Sequence, residues 1–545
     1  MLPGNMMDRP LTVPSILDFA AEIHGDAQVI SARVEGDVHR YSYADAHKRV
    51  SRLAHALREL GIRDGDRVAT LAWNGYRHFE LYYAISGIGA VCHTINPRLF
   101  EDQILYIVGH AGDRVLFLET SFLPLVEKLA DRLPPDLRFV VMCATEDLPE
   151  TSLNVLAYEE LLTGQPDTII WPDLDERQAS GLCYTSGTTG NPKGVLYSHR
   201  STLIHTMGLL AIGQSIGLNP ERSLLPVVPL FHVNAWGLPF AAPLVGTDFV
   251  LPGPQLDGPG LFAFMDQEKV NTSWGVPTVW FGLLAEMRKH GRKPDGFDCV
   301  LIGGSAAPKP MIEEFERDFG VTVVHGWGMS EMSPVGSVGV FYARQRALPE
   351  ADRMHLKTAQ GRRMFGVEFK IADGEGTRLP HDGVAFGELH VRGAAIMSAY
   401  FNDSEATDGA FDEEGWLKTG DVARIDPEGF LFLVDRTKDV IKSGGEWISS
   451  IDLESAALAH PDVAECAVIA VPHPKWVERP LLITVLRDGA RLTAGEMQEF
   501  LGDRVAKWWL PDDVVFVDEL PHTATGKLSK MTLREQFRDY RLPGA

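Results

Sequence analysis

The first 180 residues alternate between two hydrophobic patterns. Apolar residues at helical spacing predict amphipathic helices over residues 43–60, closed by Gly61, and over residues 77–87. Short apolar runs bounded by turn residues predict strands at 67–72, 114–118 and 139–143. Helices and strands that alternate in this way indicate an α/β fold with a layered, mostly parallel sheet.

The pattern changes twice further along the chain. A second alternating block spans about 198–340, with predicted strands at 223–228, 248–251, 299–303 and 322–325. Helical spacing then disappears between about 361 and 434, where glycine turns separate short strands, so we expect a small β-rich subdomain. The final residues, from about 440, predict a compact α+β domain with helices at 451–459, 494–507 and 530–538 and strands at 466–471 and 481–486.

The composition argues against several classes of protein. The 545 residues carry 51 Lys and Arg against 74 Asp and Glu, a net charge of −23, which repels nucleic acid and anionic lipid. The five cysteines are widely spaced and form no CxxC pair, which favours a reduced cytoplasm over a disulfide framework or zinc site. We expect no integral membrane segment and no signal peptide, because no apolar run approaches about 20 residues.

The segment from Tyr184 to Gly194 has the most unusual composition of the chain. It holds four further hydroxyl residues, three glycines and one lysine, with no apolar face to bury. Such a loop can wrap phosphate oxygens with its backbone N–H groups and hydroxyls. Lys193 precedes a glycine here, whereas the Walker A order requires Gly-Lys-Ser/Thr, so an ordinary P-loop NTPase is disfavoured.

Together with four later segments, this loop resembles the signature of the adenylate-forming superfamily, which includes acyl-CoA synthetases, luciferases and peptide-synthetase adenylation domains. The later segments are Gly-Trp-Gly-Met-Ser-Glu at 326–331, Thr-Gly-Asp at 419–421, Asp-Arg-Thr-Lys-Asp at 435–439 and the stretch 521–527. They follow in the family's order and cover nearly the whole chain. The resemblance implies an N-terminal adenylation domain at 1–435, a hinge at 436–439 and a mobile C-terminal domain at 440–545.

The resemblance also implies a two-step reaction. A carboxylic acid attacks the α-phosphorus of ATP and expels pyrophosphate, and coenzyme A then displaces AMP from the acyl-adenylate. Catalysis of the first step consists mainly of positioning and of neutralising phosphate charge, so we expect Mg²⁺, held by Thr185 and Glu331. Lys527 is the implied charge-stabilising residue, with His232 beside the acid's carboxylate and Lys438 as the hinge pivot.

The family pattern assigns the remaining site residues. Asp421 and Arg436 would hold the ribose, and Trp327 would stack on adenine, where most relatives have tyrosine. The other ATP- and AMP-binding residues implied are Ser186, Gly187, Thr188, Thr189, Gly190, Lys193, Gly304, Ser305, Ala306, His325, Gly326, Gly328, Met329 and Ser330.

Two further groups complete the prediction. His232, Trp236, Trp274, Gly303 and Pro334 form the implied acyl pocket, with Trp236 as a gate; a Trp274 side chain directed inward would shorten the space for an alkyl chain. The implied coenzyme A channel is lined by Ser443, Gly444, Gly445, Glu446 and Trp447.

Within the superfamily, the strings at 92–98, 228–236 and 441–449 are most similar to bacterial medium- and long-chain fatty-acid CoA ligases and 3-methylmercaptopropionate CoA ligases. Because of Trp274 we favour a short- to medium-chain acid, with a long-chain acid as the alternative. A carrier-protein adenylation module, a luciferase-like oxygenase and a non-catalytic nucleotide-binding protein are the rivals from other classes. Relatives are often homodimers, a state that composition does not test.

Overall fold

The structure is a computed structural model that describes residues 2, 4–185, 191–444, 446–522 and 528–543, with no account of the side chains of residues 446 and 447. Its first 210 residues form an alternating α/β unit, as the hydrophobic pattern predicts. The strands are β1 (Gln28–Ala32), β2 (Val38–Ser42), β3 (Arg67–Leu71), β4 (Val91–Thr94), β5 (Asp113–Leu118), β6 (Arg138–Val141), β7 (Val155–Ala157), β8 (Ala179–Tyr184) and β9 (Gly194–Ser198). The helices are α1 (Pro14–Ile23), α2 (Tyr43–Glu59), α3 (Tyr76–Gly87), α4 (Glu101–Ala111), α5 (Leu123–Leu129), α6 (Tyr158–Leu162) and α7 (His199–Leu210).

The second block continues the alternation. Its strands are β10 (Ser223–Pro226), β11 (Asp248–Leu251), β12 (Thr272–Gly275), β13 (Cys299–Ile302), β14 (Thr322–Gly328), β15 (Val335–Val338) and β16 (Arg362–Arg363). Its helices are α8 (Leu238–Val245), α9 (Gly258–Gln267), α10 (Pro277–His290), α11 (Lys309–Glu313), α12 (Ala343–Arg346) and α13 (Glu350–Thr358).

Two smaller units follow. The β-rich subdomain holds β17 (Val367–Ala372), β18 (Phe386–Gly393), β19 (Leu417–Ile425) and β20 (Leu431–Arg436), and one short helix, α14 (Ser404–Asp408), which the pattern did not predict. The C-terminal unit holds β21 (Ile441–Ser443), β22 (Glu446–Ile448), α15 (Ser450–Leu458), β23 (Val463–His473), β24 (Val477–Leu486), α16 (Ala494–Gly502), β25 (Asp513–Phe516) and α17 (Lys530–Gln536). Short 3-10 turns lie at Thr120–Phe122, Ala130–Arg132, Thr145–Asp147, Gly213–Ile216, Val233–Gly237, Ser330–Met332 and Lys507–Trp509, and a π turn lies at Glu314–Asp318.

Two large sheets form the layers of the N-terminal part. Within the described residues, one has the order β7-β6-β5-β3-β4-β8-β9, and the other has the order β16-β15-β14-β13-β12-β10-β11-β1-β2. Their centres are parallel, whereas β9 in the first sheet, and β2, β15 and β16 in the second, pair antiparallel at the edges. This arrangement confirms the prediction of a layered, mostly parallel α/β fold, in which central strands are buried on both faces.

The smaller units are antiparallel for the most part. The subdomain sheet has the order β17-β18-β19-β20, and the C-terminal sheet has the order β22-β21-β24-β23 with β25 parallel to β24. The helix expected at 494–507 ends at Gly502, and a separate 3-10 turn covers Lys507–Trp509. Among the described residues, no helix is both long and apolar enough to cross a membrane.

Candidate active site

Asp421 contacts two other residues of the predicted nucleotide site. It lies in β19 directly opposite Arg436 of β20, and only 5% of the residue is exposed. One carboxylate oxygen accepts the indole N–H of Trp327 at 2.8 Å, and the other pairs with the Arg436 guanidinium at 2.7 Å. Because each carboxylate oxygen can accept two hydrogen bonds, both keep capacity for a further hydroxyl donor.

Trp327, the next-to-last residue of β14, donates to Asp421. The residue is buried, and its ring meets that of Phe369 edge-on at 5.8 Å. The Thr-Gly-Asp element lies inside β19, where the Thr419 hydroxyl accepts the N–H of Asp421 at 3.1 Å and donates to the Leu389 carbonyl at 2.7 Å. The indole thus supplies a polar anchor, and two residues, Trp327 and Arg436, hold the Asp421 carboxylate.

Glu331 lies in the 3-10 turn that follows β14 and is buried, with 8% of the residue exposed. Its Oε1 accepts the Tyr400 hydroxyl at 2.8 Å, and Lys193 Nζ lies 5.0 Å from the centre of the Tyr400 ring. Burial raises the pKa of the Glu331 carboxyl, while the Tyr400 hydrogen bond and the positive charges of Arg436 and Lys193 oppose that rise. No sequence motif predicts Tyr400 as a site residue, because nothing in the sequence links it to Glu331, 69 positions earlier.

The two ends of the predicted phosphate loop are held together. Thr185 N–H donates to the Lys193 carbonyl at 2.9 Å, and Lys193 N–H donates to the Thr185 hydroxyl at 3.3 Å. The five loop residues between 185 and 191 lie outside the described residues; these are Ser186, Gly187, Thr188, Thr189 and Gly190. The loop therefore emerges from the antiparallel β8–β9 pair at the edge of the first sheet.

His325 ties the ends of β13 and β14 together. The side chain is fully buried, and its Nε2 accepts the N–H of Ala307 at 3.2 Å. Burial lowers its pKa to about 4, so the imidazole is neutral at pH 7. Between the two strands, Gly304 has a φ of +79°, Ala306 is half-buried and Ser305 is exposed. The remaining predicted nucleotide residues, Gly326, Gly328, Met329 and Ser330, follow His325 in and just beyond β14.

Trp236 stands on a strained backbone turn. Four consecutive non-glycine residues, from Val233 to Trp236, have φ values between 45° and 58°, a left-handed conformation that is rarely stable outside functional sites. The indole packs against the end of β13, where a Cβ placed on Gly303 would lie 3.0 Å from Trp236 Cη2. His232 precedes the turn, is half-buried and donates its backbone N–H to the Pro229 carbonyl at 3.0 Å.

Trp274 lies in β12 and is completely buried. Its indole N–H donates to the Ile216 carbonyl at 3.3 Å, and its ring belongs to the same apolar cluster as Trp236, Leu301 and Val324. Pro334 lies beside the nucleotide residues, where its carbonyl accepts the N–H of Met329 at 3.1 Å. Pro334, and Trp236 through its contact at Gly303, therefore border residues predicted to bind the nucleotide.

The predicted coenzyme A segment is a β-hairpin of β21 and β22. Arg479 donates to the Ser443 hydroxyl at 3.2 Å, and Gly444, with a φ of +61°, donates its N–H to the Trp476 carbonyl at 2.8 Å. A Cβ on Gly444 would lie 2.8 Å from the Trp476 ring. Both this close approach and the positive φ therefore favour glycine at this position. Gly445 and the side chains of Glu446 and Trp447 lie outside the described residues.

The predicted hinge is a turn on the protein surface. Lys438 is exposed, and the N–H groups of Asp439 and Val440 both donate to the Arg436 carbonyl. Asp439 forms an ion pair with Arg534 of α17.

Contacts also cross the hinge. Asp435 Oδ2 accepts the N–H of Ser450, the first residue of α15, at 2.8 Å. Lys527 lies outside the described residues, but Lys530, three positions later, pairs with Glu454 at 2.7 Å and contacts the Ser450 hydroxyl.

Comparison with known proteins decides the family. A model described as AMP-binding enzyme matches residues 17–401, and one described as AMP-binding enzyme C-terminal domain matches residues 452–527. The chain belongs to the AMP-binding enzyme family.

Its curated relatives match over almost their whole length. It is 48% identical to a 3-methylmercaptopropionyl-CoA ligase of Ruegeria lacuscaerulensis (98% of this chain, 99% of the relative). It is 47% identical to a medium-chain fatty-acid CoA ligase of Ectopseudomonas oleovorans (98% of each) and 45% identical to a long-chain fatty-acid CoA ligase of Thermus thermophilus (99% and 98%). The prediction of an acyl-CoA ligase that works through an acyl-adenylate is thereby confirmed.

Solved structures of AMP-binding enzymes share the fold. An anthranilate CoA ligase in complex with anthranoyl-AMP superposes with a TM-score of 0.86 at 24% identity, covering 97% of this chain and 98% of the other. An O-succinylbenzoate coenzyme A synthetase from Bacillus subtilis, in complex with ATP and magnesium ion, gives a TM-score of 0.77 at 26% identity, covering 95% and 99%.

Proposed function

We propose that this acyl-CoA ligase activates a short- to medium-chain acid, either a fatty acid or a thioether acid of the 3-methylmercaptopropionate type. The observation that carries this proposal is the complete burial of Trp274 in β12, which pairs with β13, the strand whose end contacts Trp236. An indole fills far more space than the aliphatic side chains usual in strands. We infer that its ring takes up space that an alkyl chain entering past Trp236 would otherwise occupy.

The relatives support the same range of acids. Two that are 48% and 47% identical carry the names of a 3-methylmercaptopropionyl-CoA ligase and a medium-chain fatty-acid CoA ligase. The long-chain ligase, at 45% identity, keeps a long-chain acid as the second candidate. A carrier-protein module or an oxygenase would share adenylation but would not yield free acyl-CoA.

The first reaction step uses the Asp421 cluster. We assign the ribose hydroxyls to the Asp421 carboxylate and to Arg436, while the loop from Thr185 to Lys193 surrounds the phosphates. The acid's carboxylate oxygen attacks the α-phosphorus, and pyrophosphate leaves with the electron pair of the broken P–O bond. Lys527 is our assignment for the mobile positive charge that stabilises this step.

Magnesium fits the donor set of the proposed site. Thr185 and Glu331 offer a hydroxyl and a carboxylate oxygen, which are hard ligands, and Mg²⁺ keeps several waters and phosphate oxygens. When bound, the ion would neutralise charge on the phosphate oxygens.

The second step needs a different surface. The thiol of coenzyme A attacks the acyl carbon, and AMP leaves with the electrons of the C–O bond. We assign the pantetheine channel to the hairpin at Ser443 and Gly444, and we propose that the unit from residue 440 rotates about Lys438 between the two steps. The N-terminal domain at 1–435 then serves both steps.

A panel of acids tests this proposal. Purified enzyme with ATP, Mg²⁺ and coenzyme A is supplied with 3-methylmercaptopropionate, butanoate, hexanoate, octanoate, dodecanoate or palmitate, and both AMP and acyl-CoA are measured. We expect the highest kcat/KM between 3-methylmercaptopropionate and octanoate, with one acyl-CoA formed per AMP. A maximum at palmitate would contradict the chain-length proposal, and AMP formation without acyl-CoA would contradict the ligase assignment itself.

A further inference from the structure

A cavity of about 390 Å³ opens at the amino end of β14. This volume falls in the range of small-molecule binding sites. Its wall is formed by the start of β14, by residues 339–341 beyond β15, and by α12 and α13. None of the predicted site residues that the structure describes lines it. Val324 of β14 is the lining residue nearest to Trp327 along the strand, and three residue steps of about 3.3 Å separate the two, so roughly 10 Å of strand lies between the cavity lining and the proposed adenine residue.

Three cationic side chains line this cavity, and only one of them is neutralised. Lys357 Nζ pairs with Glu316, donates to the Val323 carbonyl at 2.8 Å and lies 5.1 Å from the centre of the Phe341 ring. Arg346 of α12 and Arg353 of α13 have no ion pair or side-chain hydrogen bond within the described part of the chain. The cavity therefore presents two unpaired guanidinium groups.

Two arginines close to the cavity, unlike Arg346 and Arg353, are paired with carboxylates. Arg344, two residues before Arg346 on the same short helix, lies 3.4 Å from Glu428. Arg317, just before the cavity wall, pairs with Glu350 of α13 at 2.8 Å. The cavity lining itself holds three cationic side chains, Lys357, Arg346 and Arg353, against the single carboxylate of Glu316, so its charge is positive.

The rest of the lining is mixed. Val321, Val323, Val324, Val340 and Phe341 are its apolar members, and Ser215, Glu316 and Thr322 are its polar ones. A guanidinium fork binds a carboxylate or a phosphate through two parallel hydrogen bonds, whereas valine and phenylalanine walls favour a hydrocarbon or aromatic body. A ligand that satisfies both has an anionic head and a short apolar body.

We propose that this cavity is a second ligand site, separate from the acyl-adenylate site, which binds a small amphiphilic anion through Arg346 and Arg353. The head group is a carboxylate or a phosphate ester. Arg346 and Arg353 play no part in the catalytic machinery described above, so the site can be altered without touching it.

Calorimetric titration of the full-length protein tests the proposal. The acyl and adenylate subsites are first saturated with a non-reactive acyl-sulfamoyl adenosine, and only further binding that depends on Arg346 and Arg353 is assigned to the cavity. Octanoate, octyl phosphate and inorganic phosphate are then titrated separately into wild type, into Arg346→Gln/Arg353→Gln and into Arg344→Gln. Arg344→Gln is the matched control, because it removes a paired guanidinium from the same helix.

We expect at least one of the two octyl compounds to bind the blocked wild type, and the tighter one identifies the head group. Its affinity should fall about tenfold or more in the double variant, equivalent to about 1.4 kcal/mol, and stay unchanged in Arg344→Gln. Inorganic phosphate should bind more weakly than octyl phosphate. We expect the variants to adenylate at the wild-type rate, which would show that they are folded. If the double variant does not fold, the single variants Arg346→Gln and Arg353→Gln replace it.

Three results would overturn the proposal. The first is no binding of either octyl compound once the acyl-adenylate site is blocked, which would show that the cavity does not bind an amphiphilic anion. The second is equal affinity in wild type and the arginine variants. The third is equal affinity for inorganic phosphate and octyl phosphate, which would remove the apolar half of the site.

Discussion

The proposed nucleotide region and the hairpin that we assign to coenzyme A are built in opposite ways. Asp421 is held by Trp327 and Arg436, and Glu331 by Tyr400, through side-chain contacts between residues as many as 94 positions apart. The hairpin is held at Ser443 and Gly444 by residues within 36 positions, all in the C-terminal unit.

This difference has a mechanistic meaning. A site fixed by long-range side-chain contacts is organised before the substrate arrives, which suits a step limited by charge stabilisation. A hairpin fixed inside its own unit keeps its shape when that unit moves, which suits a group that must enter and leave. We therefore expect mutations in the two regions to affect different half-reactions.

The largest expected effect comes from Lys527→Ala. Loss of one positioned charge donor should lower acyl-adenylate formation by about 10²- to 10³-fold, whereas thioester formation from supplied acyl-adenylate should survive. Pyrophosphate release and acyl-CoA formation, measured separately, check this result. Pyrophosphate release near the wild-type rate would show that Lys527 is not the charge donor.

Asp421→Asn should have the next largest effect. The change removes the negative charge that pairs with Arg436 and leaves one oxygen to accept from two donors, Arg436 and Trp327, so adenylation should slow about 10- to 100-fold with a raised KM for ATP. Asp382→Asn is the control, since Asp382 is an exposed turn residue of the same subdomain. Equal rates in both variants would mean that the Asp421 cluster does not organise the nucleotide.

Gly444→Ala should slow thioester formation about tenfold and leave adenylation unchanged. A side chain at a φ of +61° costs about 1–2 kcal/mol, and its Cβ would meet the Trp476 ring at 2.8 Å. Gly489→Ala is the matched control, because Gly489 has a φ of +77° but open space around it. Equal losses in the two half-reactions would argue against a hairpin that acts only in the second.

Trp274→Ala is expected to change specificity by a few-fold. Each methylene that enters the vacated space contributes about 0.8 kcal/mol, so kcat/KM for longer acids should rise relative to octanoate. Trp280→Ala is the control for lost core packing, as Trp280 is also fully buried but packs in a different apolar cluster. If both variants keep the wild-type preference, Trp274 does not limit chain length.

Much of this architecture could be predicted from the sequence. Buried parallel strands and amphipathic helices such as α2 have strong periodicities, and the helix predicted at 43–60 is observed at Tyr43–Glu59. The helix predicted at 494–507 was too long, because helical spacing alone does not show where a helix gives way to a 3-10 turn.

The site was predictable only where a motif marks it. Trp327, Asp421 and Arg436 belong to motifs, yet their mutual contacts depend on the antiparallel register of β19 and β20, which no local pattern specifies. Tyr400, and the left-handed turn under Trp236, follow from tertiary packing that overrides local preference. The lack of an ion pair at Arg346 and Arg353 could not be predicted, because it depends on where the surrounding carboxylates lie in the folded chain.

Lys438→Pro gives the most direct test of the central claim that one nucleotide site serves two half-reactions through movement of the C-terminal unit. Proline fixes φ near −65° and removes a backbone donor, so it restricts the turn without touching the proposed catalytic groups, while Lys438→Ala controls for loss of the side chain. Pyrophosphate release and consumption of supplied acyl-adenylate with coenzyme A are measured on both variants. We predict near-normal adenylation and strongly slowed thioester formation in the proline variant alone. Equal effects on both half-reactions, or no effect on either, would contradict the account.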